Sequence, residues 1–205
     1  MAGLFITLEG GDGSGKSTQI AFIREWCVAQ GREVVQTFEP GGTDFGKEIR
    51  EIVLHSRGHI TPRSEALLYA ADRAHNIATV VRPALERGAV VLQDRYLDSS
   101  VAYQGAGRVL DATEIRDLSL WATEGLKPHV TILLDLDPEV SRDRLTAENK
   151  PFDRLESEAL DFHIRVRQSY LDIAAAEPER FLVIDATLPR EDIRDRIFER
   201  LGALL

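Results

Sequence analysis

The residues best suited to chemistry lie near the amino end of the chain, where Gly10 to Ser17 read GGDGSGKS and fit the pattern GxxxxGK[ST]. Glycines at these spacings let successive backbone N–H groups turn inward around phosphate oxygens. Lys16 adds a mobile positive charge, and the hydroxyl of Ser17 suits a Mg²⁺ ion. A plain glycine-rich turn is the alternative, but a strand pattern precedes this loop and a helical pattern follows it. The candidate triphosphate-binding residues are Gly10, Gly11, Asp12, Gly13, Ser14, Gly15, Lys16, Ser17 and Thr18.

Two further segments follow apolar strand patterns and carry groups suited to phosphate and metal. In the first, the carboxylate of Asp94 can hold Mg²⁺-bound water and the guanidinium of Arg95 can clamp a second phosphate. The alternative for this pair is a structural ion pair at the end of a strand. The second segment, EPGGT at 39–43, cannot extend a strand and either brings backbone close to a ligand or forms a simple tight turn.

A helical pattern places Tyr69 and Arg73 four residues apart, and therefore on one face. A ring and a guanidinium in this arrangement can flank one planar ligand such as a nucleobase, or else make a surface packing contact. Asp72 and His75 have no evident partner, and we expect them to be solvated or to act as caps.

The segment from Arg142 to Arg154 mixes basic and acidic side chains. Its cations are Arg142, Arg144, Lys150 and Arg154. A solvated loop is the ordinary interpretation, but a phosphoryl-transfer enzyme needs cations that arrive with the substrate and neutralise the transferred group. We therefore predict a lid at about 142–154. If the segment is helical, Arg142 and Arg144 cannot both face one phosphate, because they are two residues apart.

Short apolar strand patterns alternate with longer helical patterns along the chain, which is typical of βαβ units around a parallel sheet. Strands are predicted near residues 3–9, 33–38, 89–94, 130–136 and 181–185. Helices are predicted from the phosphate loop to Gln30 with Gly31 as the cap, from 43 to 56, from 62 to 87, and onward from 137–139. The fold class is therefore three-layer α/β, with a five-stranded parallel sheet and ligands at the carboxyl ends of its strands.

The composition restricts the possible partners. With 205 residues, 43% of them hydrophobic, the chain is predicted to fold as one domain spanning 1–205. A formal charge of −9 argues against general affinity for nucleic acids or anionic membranes, so the anion should be small. The single cysteine, Cys27, excludes an internal disulfide and is predicted to be a packed core thiol. Without a secretory or membrane-spanning pattern, a cytoplasmic protein is expected.

Taken together, these motifs resemble the bacterial thymidylate kinase family over nearly the whole chain. The similar segments occur in the family's order: EGGDGSGKST, EPGGT, LLYAADRAH, DRYLDSSVAYQG, SRDRL to FDRLE, and IDAT. The resemblance implies a P-loop nucleoside monophosphate kinase fold with a short lid, and transfer of the ATP γ-phosphate to dTMP, giving dTDP for dTTP synthesis. It also implies Mg²⁺ as the cofactor, ATP and dTMP as the partners, and a homodimer.

The resemblance also assigns residues on the donor side. Lys16 and the loop amides would hold the ATP phosphates, and the segment Asp185, Ala186 and Thr187 would lie beside adenine. Ser17 and Asp94 would hold the metal. The catalytic set would comprise Asp12, Lys16, Arg95, Arg142, Arg144 and Arg154.

On the acceptor side, the residues that would contact dTMP are Asp12, Glu39, Pro40, Arg50, Tyr69, Arg73, Arg95, Ser100, Tyr103 and Gln104. The resemblance implies that Arg50 and Arg95 bind the acceptor phosphate and that Tyr69, where phenylalanine is common, stacks on the base. It implies that the base edge is read by Arg73, Ser100 and Gln104, and that Tyr103 crowds the 2′ position of a ribonucleotide. Family members often carry a cis peptide before the proline at position 40.

The phosphate loop has Lys16 as its only cation, whereas the eukaryotic branch of the family has an arginine inside the loop. The catalytic arginine is therefore expected from the lid, and the choice among Arg142, Arg144 and Arg154 is open. The predicted mechanism is direct in-line transfer without a covalent intermediate.

Two other functions fit parts of the sequence. Another nucleoside monophosphate kinase or a deoxynucleoside kinase would share the scaffold and differ in the groups that read the base edge. A GTPase-like switch requires an NKxD motif for guanine, and the nearest string, NKPFD at 149–153, places its aspartate one residue too late.

Overall fold

The structure, a computed structural model, describes residues 2–56, 58–147 and 151–204. Glu148, Asn149 and Lys150 of the predicted lid lie outside the described residues. The fold is built on a parallel sheet of five strands in the order β2-β3-β1-β4-β5. The strands are β1 (Leu4–Glu9), β2 (Val34–Phe38), β3 (Val90–Asp94), β4 (Val130–Asp135) and β5 (Phe181–Asp185). All five predicted strands are confirmed to within one residue at each end.

Helices connect the strands. They are α1 (Lys16–Ala29), α2 (Asp44–His55), α3 (Pro62–Asn76), α4 (Arg82–Glu86), α5 (Leu97–Ser100), α6 (Ala112–Ala122), α7 (Pro138–Ala147), α8 (Leu160–Ala176) and α9 (Arg190–Gly202). As predicted, α1 ends before Gly31, which has a φ of 76°. The side chain of Thr43 caps α2 by accepting a hydrogen bond from the amide of Gly46 at 2.9 Å.

The prediction of one continuous α-helix over 62–87 is wrong in its middle, where a π-helical segment, Ile77–Val81, separates α3 from α4. Pro83 follows this segment and has no N–H to donate to the carbonyl group four residues earlier. A wider turn accommodates that missing bond, which explains the interruption. A second π-helical segment, Val101–Gly107, continues α5.

The side chains of β1 point alternately to the two faces of the sheet, and each face is covered by a separate layer of helices. Leu4, Ile6 and Leu8 belong to a buried cluster with side chains of α1 and α9. Phe5 lies in a different cluster, with Ile77 and other residues on the opposite face of the sheet. Helices therefore cover both faces, and the three-layer prediction is confirmed. Cys27 is fully buried in the first cluster, as predicted.

The register of the strands brings three loops to one edge of the sheet. Leu8 of β1 and Phe38 of β2 both pair with Asp94 of β3. The phosphate loop, the segment beginning at Glu39 and the segment beginning at Arg95 therefore leave the sheet at the same level. The described helices all fall short of the length and apolarity that a bilayer-spanning helix requires.

Candidate active site

The phosphate loop runs from the end of β1 to the start of α1. Gly10 has a φ of 131°, and a Cβ atom there would lie 2.4 Å from the carbonyl oxygen of Leu134. Gly15 has a φ of 93° and caps the amino end of α1. Both positions require glycine, and Gly15 directs the first free amides of the helix toward the bend of the loop. Ser17 and Thr18 are exposed in the first turn of α1.

Lys16 lies folded across the phosphate loop. Its Nζ atom donates hydrogen bonds to the carbonyl groups of Gly10 at 3.1 Å and Gly11 at 2.9 Å. Burial and the nearby positive charge of Arg95 lower the pKa of the Lys16 ammonium, against the opposing effect of Asp94. The loop therefore concentrates positive charge at one point, where a phosphate would relieve the repulsion between Lys16 and Arg95.

Asp94 has a carboxylate oxygen that suits the Mg²⁺ ion expected from the sequence. One of its carboxylate oxygens, Oδ1, is buried and has no hydrogen-bond partner within the described residues. Asp94 lines the same crevice as Lys16, Ser17 and Thr18, which we call the loop crevice. The described ranges contain no group of three or more His, Cys, Asp or Glu side chains in metal-binding arrangement. One carboxylate and one hydroxyl suit Mg²⁺, which keeps waters and takes further oxygen ligands from phosphates.

Asp12 and Arg95 form an ion pair beside the loop. The Arg95 Nη2 atom lies 2.6 Å from the Asp12 carboxylate, and its guanidinium lies 5.0 Å from the ring centroid of Tyr103. Burial opposes ionisation of Asp12, but the charges of Arg95 and Lys16 outweigh it and lower the Asp12 pKa. Arg95 has a φ of 65°, unusual for a residue with a side chain, and its amide donates to the carbonyl of Leu8. The backbone is thus strained where it holds this guanidinium.

A second cavity adjoins the loop crevice and is called the inner pocket. All ten residues that the resemblance assigned to dTMP line it: Asp12, Glu39, Pro40, Arg50, Tyr69, Arg73, Arg95, Ser100, Tyr103 and Gln104. Its remaining lining residues are Leu54, Ser99, Asp153 and Leu155. Four residues line both cavities, the acidic Asp12 and Glu39 and the cations Arg50 and Arg95. Two cations therefore lie where the two cavities meet.

The floor of the inner pocket contains a buried ion pair. Arg73, which is 1% exposed, donates from Nε to Glu39 at 2.7 Å. Its other guanidinium nitrogens donate to the hydroxyls of Ser100 and Ser119, both at 3.1 Å, and to the carbonyl of Tyr96 at 3.0 Å. These bonds fix the guanidinium before any ligand arrives. The face of α3 that carries Tyr69 and Arg73 is turned into the pocket rather than to the surface.

Glu39 is held from several sides and joined to Pro40 by a cis peptide bond. Its other oxygen, Oε1, accepts from Gln93 at 2.7 Å and from Asn76 at 3.3 Å. Burial raises the pKa of Glu39 to about 7 despite the charge of Arg73. Arg50 donates from Nη1 to the carbonyl of Pro40 at 2.9 Å, which places its guanidinium at the mouth of the pocket.

For Asp72 the sequence offered two alternatives, a solvated side chain or a cap, and the solvated alternative is wrong. Its side chain is fully buried, and its Oδ1 atom accepts from the amide of Gly41 at 3.3 Å. Burial raises the pKa of Asp72 to about 6. Its role is to support the turn after Pro40. His75 is exposed and packs against Phe45, with ring centroids 5.0 Å apart.

The three candidate lid arginines are separated by the fold. Arg142 and Arg144 belong to α7 and therefore cannot face one phosphate together. Arg144 donates to the carbonyl of Gly13 at 3.1 Å and to that of Ala186 at 3.0 Å. Arg142 lines a cavity beside the phosphate loop. Arg154 instead lies near the end of α2, where its Nε donates to the carbonyl of Val53 at 2.7 Å.

The segment predicted beside adenine lies at the carboxyl end of β5. Asp185 and Thr187 are exposed, and the Asp185 carboxylate accepts from the amide and hydroxyl of Thr187 at 2.8 and 2.7 Å. The side chain of Ala186 is buried while its carbonyl bonds Arg144. Arg144 thus joins this turn to the phosphate loop.

Sequence reasoning missed a buried group beneath Arg95. Glu9, the last residue of β1, accepts from the hydroxyl of Ser99 at 2.6 Å and from that of Tyr170 at 3.0 Å. Tyr170 and Ser99 both lie 3.4 Å from Nη1 of Arg95. A carboxylate directly before a glycine-rich loop was a readable signal for Glu9, whereas nothing in the sequence marked Tyr170 on the distant α8.

Comparison with known proteins agrees with this geometry. Residues 8–197 match the family model described as thymidylate kinase. A thymidylate kinase from Clavibacter sepedonicus is 71% identical over 205 residues, covering 100% of this chain and 97% of that protein. One from Leifsonia xyli subsp. xyli is 69% identical, covering 97% of this chain and 94% of its own.

Solved structures show the same relationship. The crystal structure of thymidylate kinase from Ehrlichia chaffeensis superposes with a TM-score of 0.79 at 29% identity, covering 98% of this chain and 99% of that one. The fold is therefore that of the P-loop nucleoside monophosphate kinases, as the sequence predicted. The family model matches most of this chain, and the site residues are gathered at one edge of the sheet. This chain therefore belongs to the thymidylate kinase family.

Proposed function

We propose that this chain phosphorylates dTMP by binding it in the inner pocket while the ATP phosphates lie in the loop crevice. The observation that carries this arrangement is that Arg50 and Arg95 line both cavities. A phosphate of the acceptor would meet the γ-phosphate of the donor between these two cations. Direct in-line transfer then requires only alignment and charge neutralisation. An oxygen of the acceptor phosphate attacks the γ-phosphorus, the bond from that phosphorus to the bridging oxygen of the β-phosphate breaks, and the products are dTDP and ADP.

Asp12 and Lys16 have supporting roles in this mechanism. The Asp12 carboxylate holds Arg95 at 2.6 Å and so orients it toward the junction of the cavities. Lys16, which lies in the phosphate loop, neutralises negative charge on the phosphoryl group as that group is transferred. Ser17 and Oδ1 of Asp94, which has no hydrogen-bond partner among the described residues, would hold Mg²⁺, and the ion would supply neutralisation of the charge on the donor phosphates.

The lid segment around 142–154 contributes cations from two directions. Arg142 and Arg144 on α7 stand on the donor side, since Arg144 already contacts the phosphate loop and the turn at 185–187. That turn would lie along the adenine. Arg154 stands on the acceptor side, so we assign the catalytic cation to α7 and a supporting role to Arg154.

The inner pocket is suited to a pyrimidine base. Tyr69 offers a ring face for stacking, and Arg73, Ser100 and Gln104 offer polar atoms to the base edge. The ring of Tyr103 is buried under Arg95, where a 2′-hydroxyl would have to compete for space. Because the ion pair between Arg73 and Glu39 is formed in advance, little reorganisation is needed on binding.

A substrate panel tests this function. Purified protein with ATP and Mg²⁺ is given dTMP, dUMP, UMP, dCMP and AMP separately, and kcat/KM is measured for each. We expect dTMP to have the highest value. A higher kcat/KM for AMP or UMP than for dTMP would overturn the assignment and would favour a different nucleoside monophosphate kinase.

We also propose that the chain acts as a homodimer in the cytoplasm, where its nucleotide substrates occur. Helices α2, α3 and α6 pack side by side and carry exposed apolar side chains, including Ile52, Leu67 and Trp121, the last of which is 80% exposed. An apolar face of this kind is typical of subunit interfaces. Sedimentation at about 46 kDa, twice 22.9 kDa, is expected, with Trp121→Asp shifting the protein toward monomer. A wild-type monomer would contradict this proposal.

A further inference from the structure

Glu65 is a buried carboxylate outside every site assignment made above. It lies on α3, is fully buried, and accepts hydrogen bonds from three different side chains. Gln104 donates from Nε2 at 3.0 Å, Arg108 donates from Nε at 3.2 Å and Nη2 at 3.3 Å, and Arg154 donates from Nη2. These donors come from the π-helical segment, the turn after it and the carboxyl end of the lid segment. One carboxylate therefore joins three separate parts of the chain to α3.

The charge state of Glu65 follows from its partners. Burial alone would raise its pKa, but the hydrogen bonds from Gln104, Arg108 and Arg154 outweigh burial and lower it. Glu65 is therefore ionised at neutral pH. An ionised carboxylate has no proton to donate, so every group that contacts it must be a donor.

This requirement fixes the amide of Gln104. One N–H of its NH₂ group donates to Glu65, so the amide nitrogen faces Glu65 and the amide oxygen is the acceptor that Gln104 can offer to the inner pocket. An acceptor at this place matches the imide N–H of thymine. Cytosine carries a lone pair at the same ring nitrogen, so it would place an acceptor against an acceptor. The direction of the amide therefore distinguishes two pyrimidines of nearly identical shape.

Arg154 connects the same carboxylate to the wall of the pocket. Its backbone amide donates to the carbonyl of Leu54 at 3.3 Å, and Leu54 lines the inner pocket. Its side chain spans from the carbonyl of Val53 to Glu65. The carboxyl end of the lid segment is thus held against the end of α2 and against the group that orients Gln104.

We propose that Glu65 is a positioning residue for base selection, which holds Gln104 as an acceptor for the imide N–H of thymine and anchors the carboxyl end of the lid segment through Arg154. The inference rests on the proposed placement of dTMP in the inner pocket. Glu65 itself touches no substrate in this account, and its effect passes through the amide of Gln104.

The test is the ratio of kcat/KM for dTMP to that for dCMP. In Glu65→Gln, the new amide accepts as well as donates, so Gln104 is free to turn its NH₂ group toward the ring nitrogen of cytosine. We expect this ratio to fall about tenfold, through a higher KM for dTMP and a gain of activity on dCMP. Glu191→Gln makes the same chemical change in an exposed pair on α9 and should leave the ratio unchanged.

A second variant guards against loss of folding, because Glu65→Gln leaves two guanidinium groups facing a neutral side chain. Glu65→Asp keeps a negative charge near Arg108 and Arg154 but withdraws the carboxylate from all three donors by one methylene group, which loosens its hold on Gln104. It should fold, with a thermal midpoint near that of wild type, and lower the same ratio severalfold. An unchanged ratio in folded Glu65→Gln or Glu65→Asp would overturn the proposal.

A double-variant comparison separates this inference from the proposed function. Gln104→Met removes the amide and should itself lower the ratio, and adding Glu65→Gln to it should produce little further change. If the two changes instead multiply, Glu65 does not act through Gln104 and the inference is overturned alone. If Gln104→Met leaves the ratio unchanged, the base-reading role in the proposed function is wrong, and this inference falls with it.

Discussion

The loop crevice, where we propose that the donor phosphates bind, and the inner pocket, where we propose that the base binds, differ in how their polar groups are held. The loop crevice presents backbone amides, one lysine and exposed hydroxyls, and one oxygen of its Asp94 has no hydrogen-bond partner in the part of the chain that the structure describes. The inner pocket is lined by side chains already bonded to one another, with Arg73 donating to four groups in a fully buried setting. In the proposed function, phosphate would be bound by the amides and cations around the loop, and the base would be selected by groups that are already hydrogen-bonded to one another.

This difference follows from what each ligand presents. Any nucleoside triphosphate offers the same phosphate oxygens, so a ring of amides and mobile cations suffices. Pyrimidines differ by single donors and acceptors, and discrimination between them requires buried groups whose direction cannot change. We therefore expect changes in the loop crevice to slow transfer and changes in the inner pocket to weaken binding and selectivity.

The largest effect is expected at Lys16. Replacing it by Met removes the cation that neutralises charge on the transferred phosphoryl group, so kcat should fall by about 10³. The KM for dTMP should stay within about threefold of the wild-type value, because the inner pocket is untouched. Steady-state kinetics with dTMP and ATP varied separately make the measurement. A large rise in the KM for dTMP with unchanged kcat would contradict the expectation that the loop crevice governs transfer and the inner pocket governs dTMP binding.

Arg73→Met tests the inner pocket in the same way. It leaves the Glu39 carboxylate buried without its cation, which typically costs about 3–5 kcal/mol of folding free energy, and it removes a group facing the base. We expect the KM for dTMP to rise at least tenfold and the KM for ATP to change little. Arg63→Met is the matched control, because it removes an arginine of the same helix from an exposed ion pair. An unchanged KM for dTMP in Arg73→Met would contradict the assignment.

The two ends of the lid segment sharpen the comparison. Arg144→Met should lower kcat about tenfold and raise the KM for ATP, because Arg144 bridges the phosphate loop and the turn at 185–187. Arg154→Met should instead raise the KM for dTMP more than it lowers kcat, since its guanidinium bonds Glu65 and Val53. The reverse pattern would make Arg154 the catalytic cation and α7 the supporting element.

The smallest effect concerns pH and Asp72. Because burial raises its pKa to about 6, the folded state holds a proton that the unfolded chain releases near pH 4. This contribution to stability is complete below about pH 4 and is lost as pH rises through 6. Between pH 5 and pH 8 the wild type should lose about 1 kcal/mol relative to Asp72→Asn in urea unfolding. Equal losses in both proteins would show that Asp72 is ionised in the fold.

Much of the fold was predictable because local patterns and tertiary structure agree. The strands were readable from their apolar runs, and the phosphate loop from glycines that its backbone geometry requires, as at Gly10. The gathering of ten residues in the inner pocket followed from motif resemblance and was not derivable from spacing, since Glu39 and Gln104 are far apart along the chain.

The unpredicted features depend on distant partners. Arg154 was indistinguishable from Arg142 and Arg144 in sequence, because its partner Glu65 lies 89 residues away. Asp72 gave no sign of burial, since the amide that it contacts belongs to the turn after Pro40. Sequence periodicity reports which residues are apolar, and it does not report which polar residues will meet.

The central claim is that selectivity resides in the inner pocket and not in the loop crevice, and paired substitution of the two nucleotides tests it most directly. The kcat/KM loss is measured when GTP replaces ATP with dTMP held constant, and again when dCMP replaces dTMP with ATP held constant. The donor change should lower kcat/KM by less than about tenfold, and the acceptor change by about 10² or more. A larger loss for GTP than for dCMP would contradict the account.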